Sequence, residues 1–136
     1  MSEPATLIAW SDHHRIGIDE IDREHEWMAR DFNTVVNILR TIRDRRLIEK
    51  TFESFFRSTA GHFANEEAAM LEAGFDDLEV HRERHQNYLA RLAGLRDKMR
   101  GGANVSTDLM GFYSSWLTHH VSVTDQKFGE FLKARR

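Results

Sequence analysis

His62 and Glu66 stand four residues apart, as do His81 and His85, and near the end of the chain the stretch WLTHHVSVTD brings two adjacent histidines up to Asp125. A four-residue step puts two side chains on one face of a helix, one turn apart, where both can reach a common point. Imidazoles and carboxylates so placed are ligands for a metal ion. The chain has no cysteine, which excludes disulfides, thiolate metal sites and cysteine nucleophiles, so His, Asp and Glu must be the donors. His25 joins the set because it occupies the inward stripe of an earlier helical pattern. A lone core histidine is ordinarily satisfied by hydrogen bonds to its neighbours. Ionisable residues facing one core from several helices at similar depth are too costly to bury unless something pairs with all of them, and a metal does that.

The elements that must position these residues follow from the periodicity. Behind Pro4, the only proline, apolar residues recur every three or four positions in four segments. The first carries Ile21, His25, Met28, Phe32, Val35, Leu39 and Ile42. In the second come Phe52, Phe55, Thr59, His62 or Phe63, Glu66 and Met70. Leu78, His81, His85, Tyr88, Leu92, Leu95 and Met99 mark the third, which opens on Asp76 and Glu79 as a capping box and stops at Gly101 and Gly102. The fourth starts behind Asn104 or Ser106. The pattern predicts helices at about 19–43, 47–72, 77–100 and 105–133, an arm over residues 1–17 with Trp10 packed on the bundle, and one domain over 1–136. Short connections imply an all-α, up-down-up-down antiparallel four-helix bundle. The basic run RTIRDRR (Arg40 to Arg46) reads as a helix end that complements the dipole.

The fourth segment does not fit an ideal helix. At about 100° per residue, Tyr113, Trp116, Leu117 and His120 share one arc, while Asp125, Phe128 and Leu132 share another rotated well away from it. One extra residue absorbed between His120 and Asp125, as in a π-bulge, rotates the second arc back by about 100° and unites the two. His120 then faces the core with Asp125. His119 stays off that face and belongs on the surface, as do His13 and His14 in the arm.

The resulting set is His25, His62, Glu66, His81, His85, His120 and Asp125. Two six-coordinate ions offer twelve positions: five imidazoles fill five, two bridging carboxylates four, and a shared oxo or hydroxo group two, which leaves one open. Nitrogen and oxygen ligands in six-coordination suit iron better than structural zinc, which prefers a closed tetrahedron. A histidine-rich, carboxylate-poor shell favours the ferrous state and supplies little charge to high-valent iron. Reversible oxygen binding is therefore expected over substrate oxygenation.

These residues resemble those of the bacterial hemerythrins: GIDEIDREHEWM around His25, HFANEEAAM with His62 and Glu66, HRERHQNY with His81 and His85, and WLTHHVSVTD with His120 and Asp125. The resemblance covers about Trp10 to Phe131. It implies that His81, His85 and His120 hold one iron, that His25 and His62 hold the other with its open position, and that Glu66 and Asp125 bridge the two. Phe63, Trp116, Leu117 and Val121 match the family's apolar oxygen pocket. Glu24 stands where bacterial members often carry glutamine, which suggests a carboxylate beside His25; Met28, the turn GFDD and Tyr88 also depart from the common pattern.

The expected function is that of a non-heme diiron protein that binds dioxygen reversibly as carrier, store or scavenger, and not an enzyme. Sensing through a separate protein partner and peroxide or nitric oxide chemistry at the same centre are the alternatives. The formal net charge of −3 carries no nucleic-acid signal, and no apolar run is long enough for a bilayer. With neither a basic n-region nor a cleavable apolar stretch at its start, the chain is expected in the cytoplasm.

Overall fold

Asp19, Glu20 and Asp22 crowd the first turn of α1 (Asp19–Thr41), where negative charge complements the helix dipole. In the computed structural model, which describes residues 14–135, Asp22 has a second task. Its buried carboxylate accepts from the backbone N–H of Ile16 at 2.7 Å and of Gly17 at 3.1 Å, tying the segment before α1 back onto the helix. Trp10 and His13 lie outside the described residues. His14 is half-buried rather than fully solvated.

α2 (Arg45–Ala73) starts behind Asp44, whose side chain accepts from the N–H groups of Arg46 and Leu47. The basic run therefore does not close a single helix. Arg40 sits in the last turn of α1, but Arg45 and Arg46 open α2, the end at which positive charge is unfavourable. Arg45 finds its carbonyls elsewhere: its guanidinium donates to the backbone oxygen of Arg100 at 2.7 Å, at the C-terminus of α3 (Leu78–Arg100). The charge complements a neighbouring helix's dipole instead of its own.

Between α2 and α3, Gly74 adopts the left-handed conformation (φ +70°) and the N–H of Phe75 reaches back to the carbonyl of Met70 at 3.0 Å. This is a Schellman-type ending, and it folds the Phe75 ring inward against Phe128 and His81. The capping box expected of Asp76 and Glu79 does not form; the residue before α3 is Asp77, and its side chain makes no cap hydrogen bond. At the next junction Asn104 does act, its side-chain oxygen accepting from the N–H of Ser106 at 3.0 Å.

The fourth rod has three parts: α4 (Ser106–Ser115), a π-helical segment (Trp116–Asp125) and α5 (Gln126–Ala134). α1 packs on α2, α2 on α3, α3 on α4 and α4 on α1, which closes the four-helix bundle. Among the described residues no helix is long and apolar enough to cross a membrane. The core has two apolar clusters. One runs from Met28, Phe32 and Val36 through Phe52, Phe55 and Phe63 to Leu92, Phe112 and Val121; the other joins Ile16, Ile21, Met70, Phe75, Leu78 and Phe128. Along α1, α2 and α3 four candidate ligands fall between members of the two clusters: His25 after Ile21 and before Met28, Glu66 between Phe63 and Met70, His81 and His85 between Leu78 and Leu92. A polar layer thus crosses the bundle with apolar packing above and below it.

The N-terminal segment is pressed against α5. A Cβ on the buried Gly129 would fall on the Ile16 carbonyl, and the Gln126 side chain donates to the Arg15 carbonyl at 2.7 Å. Backbone rather than a flexible side chain stands in the way, so Gly129→Ala is expected to lower the unfolding free energy by about 2 kcal/mol or more. Denaturant melts followed by helix circular dichroism will show the lower midpoint; an unchanged midpoint would mean that the segment can shift without loss.

Candidate metal centre

Six of the seven sequence-derived candidates meet in the polar layer. His25, Glu66, His81, His85, His120 and Asp125 are all buried, none more than 3% exposed. His25 Nε2 lies 3.0 Å from Glu66 Oε2 and 3.5 Å from Asp125 Oδ2. His81 Nε2 and His120 Nε2 each stand 3.2 Å from Asp125 Oδ1. His85 Nε2 is 3.3 Å from Glu66 Oε1 and 2.9 Å from His120 Nε2. Donor atoms of Glu66, His81, His120 and Asp125 all fall within 4.8 Å of one another. The seventh candidate, His62, is set apart at the rim, partly exposed, and its ring nitrogens meet Ser58 and Glu24.

The π segment makes this convergence possible. In it the helix widens toward an i→i−5 pattern, so a five-residue step returns a side chain to nearly the same face. His120 and Asp125 therefore face each other, while His119 is exposed. The widening runs from Trp116 to Asp125, a longer stretch than the single absorbed residue between His120 and Asp125 that the sequence suggests. Thr124 follows the same geometry, its hydroxyl donating to the His119 carbonyl five residues back while it accepts from Arg84 at 2.9 Å.

The outward nitrogens fix the orientation of two rings. His85 Nδ1 is 2.8 Å from Glu67 Oε2, and His81 Nδ1 is 3.3 Å from the Asp77 carbonyl. Both acceptors place a hydrogen on Nδ1 and leave the Nε2 lone pair pointing into the layer, the tautomer a metal ligand needs. Sequence reading missed Glu67 and Ser58. The signals were faint: Glu67 is a second acid beside Glu66, and Ser58 lies one helical turn before His62. Glu24, expected beside His25, meets His62 on α2. Its carboxylate stands 3.6 Å from His62 Nδ1 and accepts from Asn65 at 2.8 Å, because a residue one step from His25 points about 100° around the helix, toward α2.

The electrostatics of the layer are frustrated without a cation. Burial works to raise Glu66, but the imidazoles of His120, His25 and His85 beside it hold its carboxyl well below the usual range. Asp125 goes the other way, pushed well above its usual value by burial and by the charge of Glu66. Burial lowers His120 to about 4 and lowers His81, whereas for His85 the carboxylates of Glu66 and Glu67 overcome burial and raise it. Even so, Glu66 Oε1, His81 Nε2 and both oxygens of Asp125 lack a hydrogen bond. Buried polar atoms are rarely left so, and here they cluster and point at one another. The donor set of imidazole and carboxylate fits metal ions.

Aromatic and aliphatic residues enclose the layer. Phe63 stacks on His85 with ring centroids 4.1 Å apart, and Trp116 meets His25 edge-on at 5.3 Å. Leu117 and Val121, on the same face of the π segment, are buried too.

Comparison with known proteins agrees with this architecture. The family described as hemerythrin HHE cation binding domain matches residues 16–132. The bacteriohemerythrin of Stenotrophomonas maltophilia is 30% identical over 128 residues, covering 94% of this chain and 83% of that protein. Myohemerythrin-1 of Phascolopsis gouldii is 28% identical over 120 residues, 88% of this chain and 89% of its own. The crystal structure of a hemerythrin point mutant superposes with a TM-score of 0.84 at 24% identity, covering 94% of this chain and 98% of that one, a likeness of fold. With a family match running from Ile16 to Leu132 over a bundle whose buried layer is built to hold cations, the chain belongs to the hemerythrin family.

Proposed function

We propose that this chain holds a pair of iron ions in the polar layer and binds dioxygen reversibly, as a carrier, store or scavenger. The observation that carries this reading is the convergence of buried carboxylate and imidazole side chains from all four rods of the bundle, with Glu66 Oε1, His81 Nε2 and both Asp125 oxygens lacking hydrogen bonds. His81, His85 and His120 would hold one ion, His25 and His62 the other, with Glu66 and Asp125 shared between them. When bound, the iron pair supplies the electrons that hold dioxygen and takes them back on release.

The protein's own part is positioning and exclusion. Glu67 and the Asp77 carbonyl keep the inward nitrogens of His85 and His81 free of hydrogen. Phe63, Trp116, Leu117 and Val121 wall the layer with apolar surface, which slows entry of water and of the protons that would expel a reduced ligand. Five imidazoles against two carboxylates give little anionic support to highly oxidised iron, so the centre is read as a binder and not an enzyme. Dioxygen is its ligand, and any protein partner would receive that oxygen. Cytoplasmic residence is the matching proposal for the compartment.

Three measurements test the reading. Reduced, iron-loaded protein should develop visible charge-transfer absorption on exposure to oxygen and lose it when oxygen is removed, over repeated cycles; irreversible conversion in the first cycle would refute reversible binding. His120→Ala should cost most of the bound iron while His119→Ala keeps it, as read by iron analysis after desalting, and the reverse order would refute the assignment on the π segment. Metal uptake near neutral pH should release protons, because Asp125, whose hold on its proton is strengthened by burial and by the charge of Glu66, must ionise to bind a cation. Affinity should therefore rise with pH. Calorimetry in buffers of different ionisation enthalpy counts the protons, and a buffer-independent heat would contradict a neutral Asp125.

A further inference from the structure

We propose that Ser58 and Asp31 form a resting dock for the His62 imidazole, so that His62 reaches the centre only by leaving the dock and the two metal positions fill in order. The inference rests on the diiron reading above and concerns how that centre is assembled. His62 differs from the other six candidates in place and in partners. Its side chain is 13% exposed, whereas those of Glu66, His81, His85, His120 and Asp125 are 3% exposed or less. Among the described residues its nitrogens meet neither Glu66 nor Asp125: Nε2 lies 3.3 Å from Ser58 Oγ and Nδ1 lies 3.6 Å from Glu24.

The dock has a direction. Ser58 donates its hydroxyl hydrogen to Asp31 Oδ2 at 3.4 Å, which leaves the hydroxyl oxygen to accept from His62 Nε2. In that arrangement Nε2 carries hydrogen and has no lone pair to offer a metal. Ser58 precedes His62 by one helical turn on α2, and Asp31 comes across from α1, so the imidazole is gripped by both helices. Asp31 and Ser58 also line an open groove of about 370 Å³ between α1 and α2, and the ring's own 13% exposure sets the dock toward the solvent side of the layer.

The remaining donors need no such step. Those of Glu66, His81, His120 and Asp125 already lie within 4.8 Å of one another, a site preformed for one ion. The first ion binds there. The second must draw His62 from its dock, and its affinity is reduced by the fraction of time that the ring spends docked.

The test is anaerobic titration of the metal-free full-length chain with ferrous iron, followed by calorimetry, with melts of each metal-free variant by circular dichroism as the folding control. The native chain should bind two ions in unequal steps, and His62→Ala should keep the first and lose the second. Ser58→Ala should tighten the second step roughly 2- to 10-fold, the value of one net hydrogen bond, and leave the first unchanged. Asp31→Ala should move the second step the same way. A second step that is unchanged or weakened in both variants overturns the dock while two-ion binding by the native chain keeps the diiron reading; a native chain that binds fewer than two ions overturns both.

Discussion

Two carboxylates, Glu66 and Asp125, are buried side by side in the middle of an otherwise apolar bundle, and most of the molecule answers to that fact. At 3% and 0% exposure neither can be hydrated, and two negative charges so close cannot both persist. The surroundings divide them: the imidazoles around Glu66 hold its carboxyl well below the usual range, while burial and the charge of Glu66 push Asp125 well above its own. An uncompensated buried ion costs several kcal/mol, so the layer is built for cations to complete it. Histidines enter from every helix because a single face cannot supply enough neutral donors around two shared acids.

A layer that does not stabilise itself needs support from both sides. The larger apolar cluster, with Phe32, Phe52, Phe55 and Phe112, fills one end of the bundle, and the smaller one, with Ile21, Met70, Phe75 and Phe128, fills the other. Each end also has a clasp that crosses between elements. Arg45 joins the start of α2 to the end of α3, and the Ile16 backbone lies against Gly129 of α5. The bundle can thus be held by packing at its ends while its centre stays polar, which separates folding from metal binding.

Much of this was legible in the sequence because the helical repeat is regular enough that its violations stand out. His25, Glu66, His81 and His85 interrupt apolar stripes at one depth, and the angular mismatch between His120 and Asp125 identifies a widened turn without coordinates. What spacing cannot convey is direction within a stripe. His62 and Phe63 both lie near the inward face, and the structure sends Phe63 onto His85 while His62 turns to Ser58. Glu24 is adjacent to His25 in sequence and beside His62 in space, since a neighbouring helix decides what meets a side chain on the flank. Likewise the partner of Arg45 is a set of carbonyls fifty-five residues away, on which local charge patterning is silent.

The π segment also bears on how such a chain can change over generations. A helix widened from Trp116 to Asp125 has every later position set by that widening: Asp125, Phe128 and Gly129 face inward because of it. Losing a residue between His120 and Asp125 would not restore an older, simpler helix; it would turn all of α5 by about 100° and carry its apolar face toward solvent. Intermediates on that route lose both the acid that the layer shares and the packing of the terminal rod. The widened segment is therefore costly to shorten, because a single deletion damages the polar layer and the packing of α5 together.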